Sequence, residues 1–487
     1  MERHSIKTNF IFQASYEILL MVLPLVTSPY ISRKLGASNI GIYSYTFTVT
    51  YYFTLVAMLG IKNYGNREIS RCRDNKKQLN QTFSSIVFLH MIISLIVILA
   101  FGIYCIICET EYRLYYIIQS LYLFGNLFDI SWFFFGLELF KVTVIRNVFI
   151  KILSVIFIFL FVKSPSDLWI YILILAVASF ASQIYLWFKI NTLVNIVKVP
   201  ASDMLKHLPQ MLILFIPTIA ISLYNYMDKI MLGILAGKTE LGFYENSFKI
   251  TSVCSSVIGS VGTVMLPRMS NVIAKGNEEK SQKYIELSII SVMMMGVAMA
   301  FGLSGIANNF VPIFWGKEFT ACGSLLSLLS CYLPIQAFAS VLRTQYLIPN
   351  RLDKQYTLSL CVGAGCNLIF NWLLIPIYQA KGAVMGTIIA ESSVCFVQAF
   401  YLRKCLPIRK YILESIPYLV MGGGMYLLIK YLNIFIYGNI LSVVVQIVVG
   451  GFFYILCVVI YQLKIKKNAF FVNEALKLFH IKYRLDD

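Results

Sequence analysis

The sequence predicts an all-α polytopic membrane protein with about fourteen transmembrane helices. Three observations predict it. Of 487 residues, 59% are hydrophobic and 13% charged, against roughly half apolar and a quarter charged in soluble domains. The apolar residues fall into segments of about 20, the length that crosses roughly 30 Å of hydrocarbon at 1.5 Å per helical residue. Finally, Lys and Arg alternate between rich and poor connections along the chain. A lipid-exposed backbone must satisfy its own hydrogen bonds, so the segments are helices. A membrane β-barrel would show alternating strands of about ten residues instead.

Taken in order, the apolar runs place spans at Phe10–Ile31, Ile42–Ile61, Thr82–Ile107, Leu114–Phe135, Val148–Val162, Leu168–Phe188 and Leu208–Leu235. The second half continues with Phe243–Leu266, Tyr284–Ala307, Ala321–Leu342, Tyr356–Tyr378, Gly382–Leu402, Ile412–Leu432 and Ile440–Tyr461. With the N-terminus inside, thirty of the 41 Lys and Arg fall on the inner side and eight on the outer side. Lys151, Lys229 and Lys249 complete the count from within spans. The positive-inside rule therefore predicts an even number of spans and both termini in the cytoplasm.

A weak internal repeat divides these spans. Leu35, Gly36, Gly41 and Tyr43 resemble Leu232, Gly233, Gly242 and Tyr244, both sets joining the outer end of an odd-numbered span to the start of the next. Copies that begin at spans one and seven, both starting inside, are parallel repeats. The expected organisation is an N-terminal lobe over 1–200 (spans one to six), a C-terminal lobe over 201–405 (spans seven to twelve), and two further spans over 406–462. A tail over 463–487 follows, in which Phe470, Phe471, Leu476 and Phe479 form an amphipathic strip along the inner membrane face. Pro24, Pro29, Pro209 and Pro217 lie in the first helix of each repeat and predict bends there.

Composition also excludes. A net charge of +18 would suggest nucleic acid in a soluble protein, but here the charge lies between spans and sets topology, so no nucleic-acid partner is expected. The eleven Cys lie mostly within spans without metal-ligand spacing, and no metal site is expected. Met1–Asn9 followed by a long apolar stretch does not read as a cleavable signal peptide. No G-x-x-x-x-G-K-[ST] pattern occurs, so nothing supports direct ATP hydrolysis.

The text of the chain resembles the oligosaccharide (Wzx-type) flippases, the polysaccharide-exporting branch of the multidrug/oligosaccharidyl-lipid/polysaccharide exporter superfamily. Pro29 to Gly36, Gly41 to Tyr45 and Asn63 to Glu68 carry the likeness, with Asp129 to Phe134, Gly136 to Glu138, Phe140, Lys141, Arg146 and Asn147. The second half adds Leu214 to Pro217, Asp228, Lys229, Gly242 to Asn246, Pro267, Arg268 and Gln345 to Pro349. The resemblance implies two six-helix bundles around a central cavity plus two C-terminal helices. It also implies a bacterial inner-membrane flippase that moves undecaprenyl-pyrophosphate-linked oligosaccharide from the cytoplasmic to the outer leaflet, for capsule, exopolysaccharide or O-antigen synthesis. Alternating access, membrane lipids as surroundings, and a polysaccharide polymerase and other assembly proteins as partners belong to the same expectation.

Charges inside spans are the candidate site residues, since even forgiving scales set about 2.5 to 3.5 kcal/mol against each at a helix centre. A pyrophosphate in a low-dielectric cavity needs cations, and Arg33, Lys229, Lys249, Lys151 and Arg146 are the candidates. Glu245 and Lys249 are spaced i,i+4 and share a helix face on which they could neutralise one another. Asp228, Glu245, Glu391 and Glu17 are the acids through which an H⁺ or Na⁺ gradient could be coupled; no bound cofactor is expected. Arg33 and Lys34 read equally as headgroup anchors, and Arg67, Arg71, Arg73, Lys76 and Lys77 as topology determinants. Asp129 and Glu138 flank the aromatic run Trp132–Phe135 at the predicted inner end of span four. The protein is not expected to be an enzyme. A drug or cation antiporter of the same superfamily is the nearest alternative. A membrane polymerase or glycosyltransferase is the other, although its best acidic pair, Glu109 and Glu111, sits in a short turn.

Overall fold

In the computed structural model the backbone of residues 6–107 and 110–465 is described, with side chains from residue 22 to 464 within those ranges. Glu17, Glu109 and the amphipathic strip of the tail lie outside the described side chains. The chain falls into two compact units, Met1–Glu245 and Asn246–Asp487. Twelve stretches are long and apolar enough to cross a membrane. The first of them, Val22–Cys72, contains a break and so two spans, and the helix Thr110–Leu127 occupies the place of predicted span four. Among the described residues this agrees roughly with the expectation of about fourteen spans.

The first unit contains α1 (Ile6–Met58), α2 (Ile61–Cys72), α3 (Lys76–Ile107), α4 (Thr110–Leu127), α5 (Ser131–Gly136), α6 (Phe140–Phe161), α7 (Leu168–Ile190), α8 (Ala201–Leu205), α9 (Leu208–Leu235) and the start of α10 (Lys238–Ala274). The break in α1 falls at Gly36, whose φ of 78° and ψ of 171° suit a residue without Cβ. It leaves two arms, 6–35 and 37–58. Pro24 and Pro29 sit inside the first arm without leaving helical geometry, so the bend predicted at the prolines occurs at the glycine instead. Pro217 is likewise carried within α9, where the hydroxyls of Thr218 and Ser222 donate to the carbonyls of Leu214 and Thr218.

Predicted span four needs a second correction. α4 stops at Leu127, and the aromatic run forms the separate helix α5. Asp129 causes the separation: its Oδ1 accepts from the Ser131 amide at 2.8 Å and its carbonyl accepts from the Trp132 indole at 3.0 Å, a turn that competes with continued helix. Trp132, Phe133 and Phe134 are then buried against Phe83, Ile86, Leu186 and Ile190. Glu138 turns out to Arg73 at 2.7 Å, and this carboxylate holds the guanidinium above its ordinary range. α2 is an amphipathic helix that buries Ile61, Tyr64, Ile69 and Cys72 and leaves Arg71 in solvent.

The second unit contains the rest of α10, then α11 (Glu278–Phe314), α12 (Ala321–Leu329), α13 (Tyr332–Val341) with a π-helical turn over Leu342–Leu347, α14 (Asp353–Tyr378), α15 (Ala380–Leu402), α16 (Ile408–Phe435) and α17 (Ile440–Ile460). The last two helices are tied to α11 and to each other by amides. Asn309 donates to Ser442 Oγ at 2.8 Å, Gln446 donates to Asn433 Oδ1 at 2.8 Å, and the Gly438 amide donates to Asn309 Oδ1 at 3.0 Å. Interhelical amide bonds of this kind replace the hydrophobic drive that lipid does not provide. Large apolar side chains left exposed, among them Leu99, Phe149, Trp372, Val420 and Phe452, form the lipid-facing surface of the two units.

Candidate functional site: an ionic and tyrosine-lined face of the first unit

The site begins with a close helix crossing. Just beyond the Gly36 break, a Cβ placed on Gly41 would fall onto the carbonyl of Lys238, and a Cβ on Gly242 would fall onto the carbonyl of Ala37. Each glycine lies four residues after the small or flexible position whose carbonyl meets its partner, so the second arm of α1 and the first turns of α10 touch backbone to backbone. Gly233, at the end of α9, is covered by the ring of Tyr45. These are the glycines that the internal repeat matched.

That crossing puts two acid-bearing turns in register. On α9, Asp228 is buried and its Oδ2 accepts from the Tyr244 hydroxyl at 2.6 Å. One residue further along each helix, Lys229 Nζ meets Glu245 Oε2 at 2.8 Å, and the Ser44 hydroxyl donates to the same oxygen at 2.9 Å. Lys229 and Glu245 are only 12% and 14% exposed. A pair this enclosed is held because either charge alone would be costly. Glu245 is thus engaged from α9 and α1, a partnership across helices that the i,i+4 reading toward Lys249 did not supply.

Aromatic rings extend the site down the second arm of α1. Tyr43, Phe47 and Tyr51 are spaced i,i+4 and share one face. Tyr43 meets Tyr171 of α7 with centroids 5.0 Å apart, Phe47 meets Tyr122 of α4 at 5.3 Å, and Tyr51 meets Tyr226 of α9 at 4.5 Å. Hydroxyls are fixed as well as rings: Tyr52 donates to the Ser222 carbonyl at 3.3 Å, and Tyr51 shares a hydrogen bond of 3.2 Å with Ser222 Oγ. Lys229 Nζ stands 5.1 Å from the Tyr226 ring centre, which links the ionic and aromatic parts. A second cation, Lys238, lies 3.3 Å over Tyr45 and donates to the Gly233 carbonyl at 2.8 Å. Such a face offers a cation, exchangeable carboxylates, phenol hydroxyls and half-buried rings.

The remaining candidates have other places. Arg33 is exposed on the first arm of α1, and Lys151 is exposed on α6. Arg146 is buried and committed to structure, donating to the Ser182 carbonyl at 2.9 Å and to Asn147 Oδ1 at 2.7 Å. Lys249 and Glu391 belong to the second unit, half-buried on α10 and buried on α15. Asp228, Lys229 and Glu245 are therefore the predicted residues that the fold unites. Sequence reading missed Ser44, Tyr244, Lys238 and the Tyr43–Phe47–Tyr51 stripe; the stripe had a readable signal in its four-residue spacing.

Comparison with known proteins agrees with this architecture. A family model described as "Polysaccharide biosynthesis protein" matches residues 6–273. A Shigella dysenteriae protein named "Putative O-antigen transporter" is 25% identical over 76% of this chain and 93% of its own length. An Escherichia coli K12 protein of the same name is 23% identical over 82% of this chain and 97% of its own length. Among solved structures, the inward closed conformation of the lipid II flippase MurJ superposes with a TM-score of 0.77 at 14% identity, covering 93% of this chain and 99% of MurJ. An inward-facing multidrug resistance MATE transporter superposes with a TM-score of 0.60 at 14% identity, over 82% of this chain and 98% of that one. The family match spans more than half of the sequence, and the chain belongs to the polysaccharide biosynthesis protein family, the Wzx-type branch that its own residues resemble.

Proposed function

We propose that this protein is a flippase that carries undecaprenyl-pyrophosphate-linked oligosaccharide from the cytoplasmic to the outer leaflet of a bacterial inner membrane. The observation that carries the reading is the enclosed Lys229–Glu245 pair beside the tyrosine stripe, set in helices of membrane length. Lys229 is a cation whose present partner is a carboxylate, so an entering pyrophosphate can take the place of Glu245 without leaving a bare charge. The half-buried rings of Phe47, Tyr51 and Tyr226 then give sugars a stacking wall, and the phenols give them hydrogen bonds. Glu245, released from Lys229, becomes a carboxylate in a poorly solvated place and is the acid best set to exchange a cation as the substrate moves. Both termini lie in the cytoplasm on this reading, and the flipped product is handed to a polysaccharide polymerase.

The test is a pair of measurements. In proteoliposomes, purified protein should move a labelled undecaprenyl-pyrophosphate oligosaccharide between leaflets. In the host, deletion of the gene should cause that intermediate to accumulate on the inner leaflet. Failure of both, with export of cationic drugs in the same vesicles, would replace this reading with a drug antiporter.

A further inference from the structure

Between two apolar clusters of the first unit lies a layer of buried polar groups that the site above does not use. On α3, residues from Leu79 to Leu89 pack into the cluster around Trp132, and residues from Val97 to Cys105 pack into a second cluster with Tyr116 and Leu123 of α4. His90 and Ser94 fall between them. α4 crosses the same level at Asn126, below Leu123 and before Ile130. α7 reaches it at Gln183, because the α-carbon of Phe180 lies against Gly125 while Leu186 already belongs to the Trp132 cluster.

At this level His90 Nε2, Ser94 Oγ, Asn126 Nδ2 and Gln183 Oε1 are all buried without a hydrogen-bond partner among the described residues. His90 is 2% exposed, Ser94 0% and Asn126 6%. Four such atoms in one layer are unusual, since buried polar groups are ordinarily paired. The neighbouring helices carry Lys62, Arg67, Glu68 and Arg71 on α2, Glu111 and Arg113 in the first turn of α4, Asp203 and Lys206 on α8, and tyrosines but no charged residue on the second arm of α1. His207, beyond α8, is itself occupied by Tyr64 at 2.5 Å and Ser85 at 2.9 Å. Burial weighs most on the His90 imidazole, and the charged group that bears on it is Asp129, just past the end of α4.

We infer that His90, with Asp129 bearing on it and with Ser94 and Gln183 at its level, is a proton-binding site inside the first unit. Neutral imidazole offers one N–H and one lone pair; on taking a proton it offers two N–H donors and no acceptor. Ser94 Oγ and Gln183 Oε1 are acceptors with nothing to accept, so protonation of His90 supplies a donor for each, Asn126 Nδ2 stays a donor, and the Asp129 carboxylate balances the new charge. The proton stays bound until this layer is opened to water. Where the protein acts as an ion-coupled flippase, an inference that rests on the function proposed above, one proton held here per cycle is a coupled ion separate from the cation exchanged at Glu245.

Two experiments decide the matter separately. In ¹⁵N-histidine-labelled protein in nanodiscs, the signal that disappears in His90→Gln should pass from neutral to charged imidazole as pH is lowered. Asp129→Asn, which keeps the acceptor for the Ser131 amide, should displace the midpoint, and so should Ser94→Ala. A His90 signal that stays neutral throughout overturns the proposal, whatever the transport result. In proteoliposomes, wild-type protein should accumulate labelled lipid-linked oligosaccharide in one leaflet when a pH gradient is imposed. His90→Gln and Asp129→Asn should only equilibrate it, at the same rate with and without the gradient. Gradient-driven accumulation unchanged in His90→Gln also overturns the proposal. Wild-type protein that moves no lipid under any gradient sinks the flippase reading, and the titration then decides the proton site alone.

Discussion

Gly41 and Gly242 hold reciprocal positions: each lies against the carbonyl four residues before the other, Lys238 for Gly41 and Ala37 for Gly242. The contact is intolerant of a single methyl group. Gly41→Ala and Gly242→Ala should each abolish complementation of a flippase deletion and lower the thermal midpoint of the purified protein, at a cost of roughly 3 kcal/mol or more, the range of severe packing errors. Gly102→Ala, where an added Cβ meets no atom within 4 Å, is the matched control and should be silent. Normal function in Gly41→Ala would mean that the helices are free to part at this point.

Removal of one member of the enclosed ion pair should cost more than removal of both. Lys229→Gln leaves the Glu245 carboxylate enclosed beside the Ser44 hydroxyl without its cation and should destabilise by about 3 to 5 kcal/mol; Glu245→Gln should behave similarly. The double variant should recover most of the thermal midpoint while transport stays absent, because the cation for the pyrophosphate is gone. Recovery of transport as well as stability in the double variant would assign the pair to structure alone.

Exposed pairs give the contrast. Arg73 and Glu138 are 29% and 55% exposed, so Arg73→Ala should change stability by no more than about 1 kcal/mol despite the 2.7 Å separation. Thermal unfolding read beside Lys229→Gln checks the ordering of the two effects.

The tyrosine stripe should reveal itself in substrate affinity. Tyr51→Ala and Tyr226→Ala remove a ring pair with centroids 4.5 Å apart and should weaken binding of a water-soluble oligosaccharide pyrophosphate by roughly 1 to 2 kcal/mol each. Tyr51→Phe keeps the ring and loses only the bond to Ser222, so its loss should be smaller. Equal affinities for Tyr51→Ala and wild type, measured calorimetrically, would move the sugars elsewhere.

Topology can be read with thiols. Cys405 is exposed in the connection between α15 and α16, on the predicted cytoplasmic side, whereas Lys317 is exposed in the connection between α11 and α12, on the predicted outer side. A membrane-impermeant maleimide added to intact cells should label Lys317→Cys and spare Cys405 until the membrane is permeabilised. The reverse pattern would invert the protein in the membrane.

The span pattern was legible because lipid leaves a helix few ways to satisfy its backbone, and that constraint is local. Asp129 shows where locality ends: an apolar run through Phe135 predicts continuous helix, yet one carboxylate capping Ser131 turns the run into a separate element. The bend in the first helix was misplaced for a related reason, since a proline without an N–H can remain helical while Gly36 can adopt a conformation closed to other residues. Within the site, Asp228, Lys229 and Glu245 stood out as charges inside apolar runs. Their actual partners, Tyr244 and Ser44, are ordinary polar residues until the fold brings them near. His90 escaped because a lone histidine in a helix carries no pattern; its importance comes from what surrounds it and fails to bond.

The clasp at Gly41 and Gly242 has two interchangeable sides, and a contact of that kind is one that two identical chains could make. Self-complementary surfaces are the mark of two-fold dimers. A half-length ancestor carrying a single glycine of this type, with a small or flexible residue four positions before it, could have docked on its own copy through the same crossing. Fusion of the two copies would then have freed Ser44 and Glu245, three residues beyond their respective glycines, to become different. At matched positions one side now carries a hydroxyl and the other a carboxylate, and the ionic centre lies where the two sides differ.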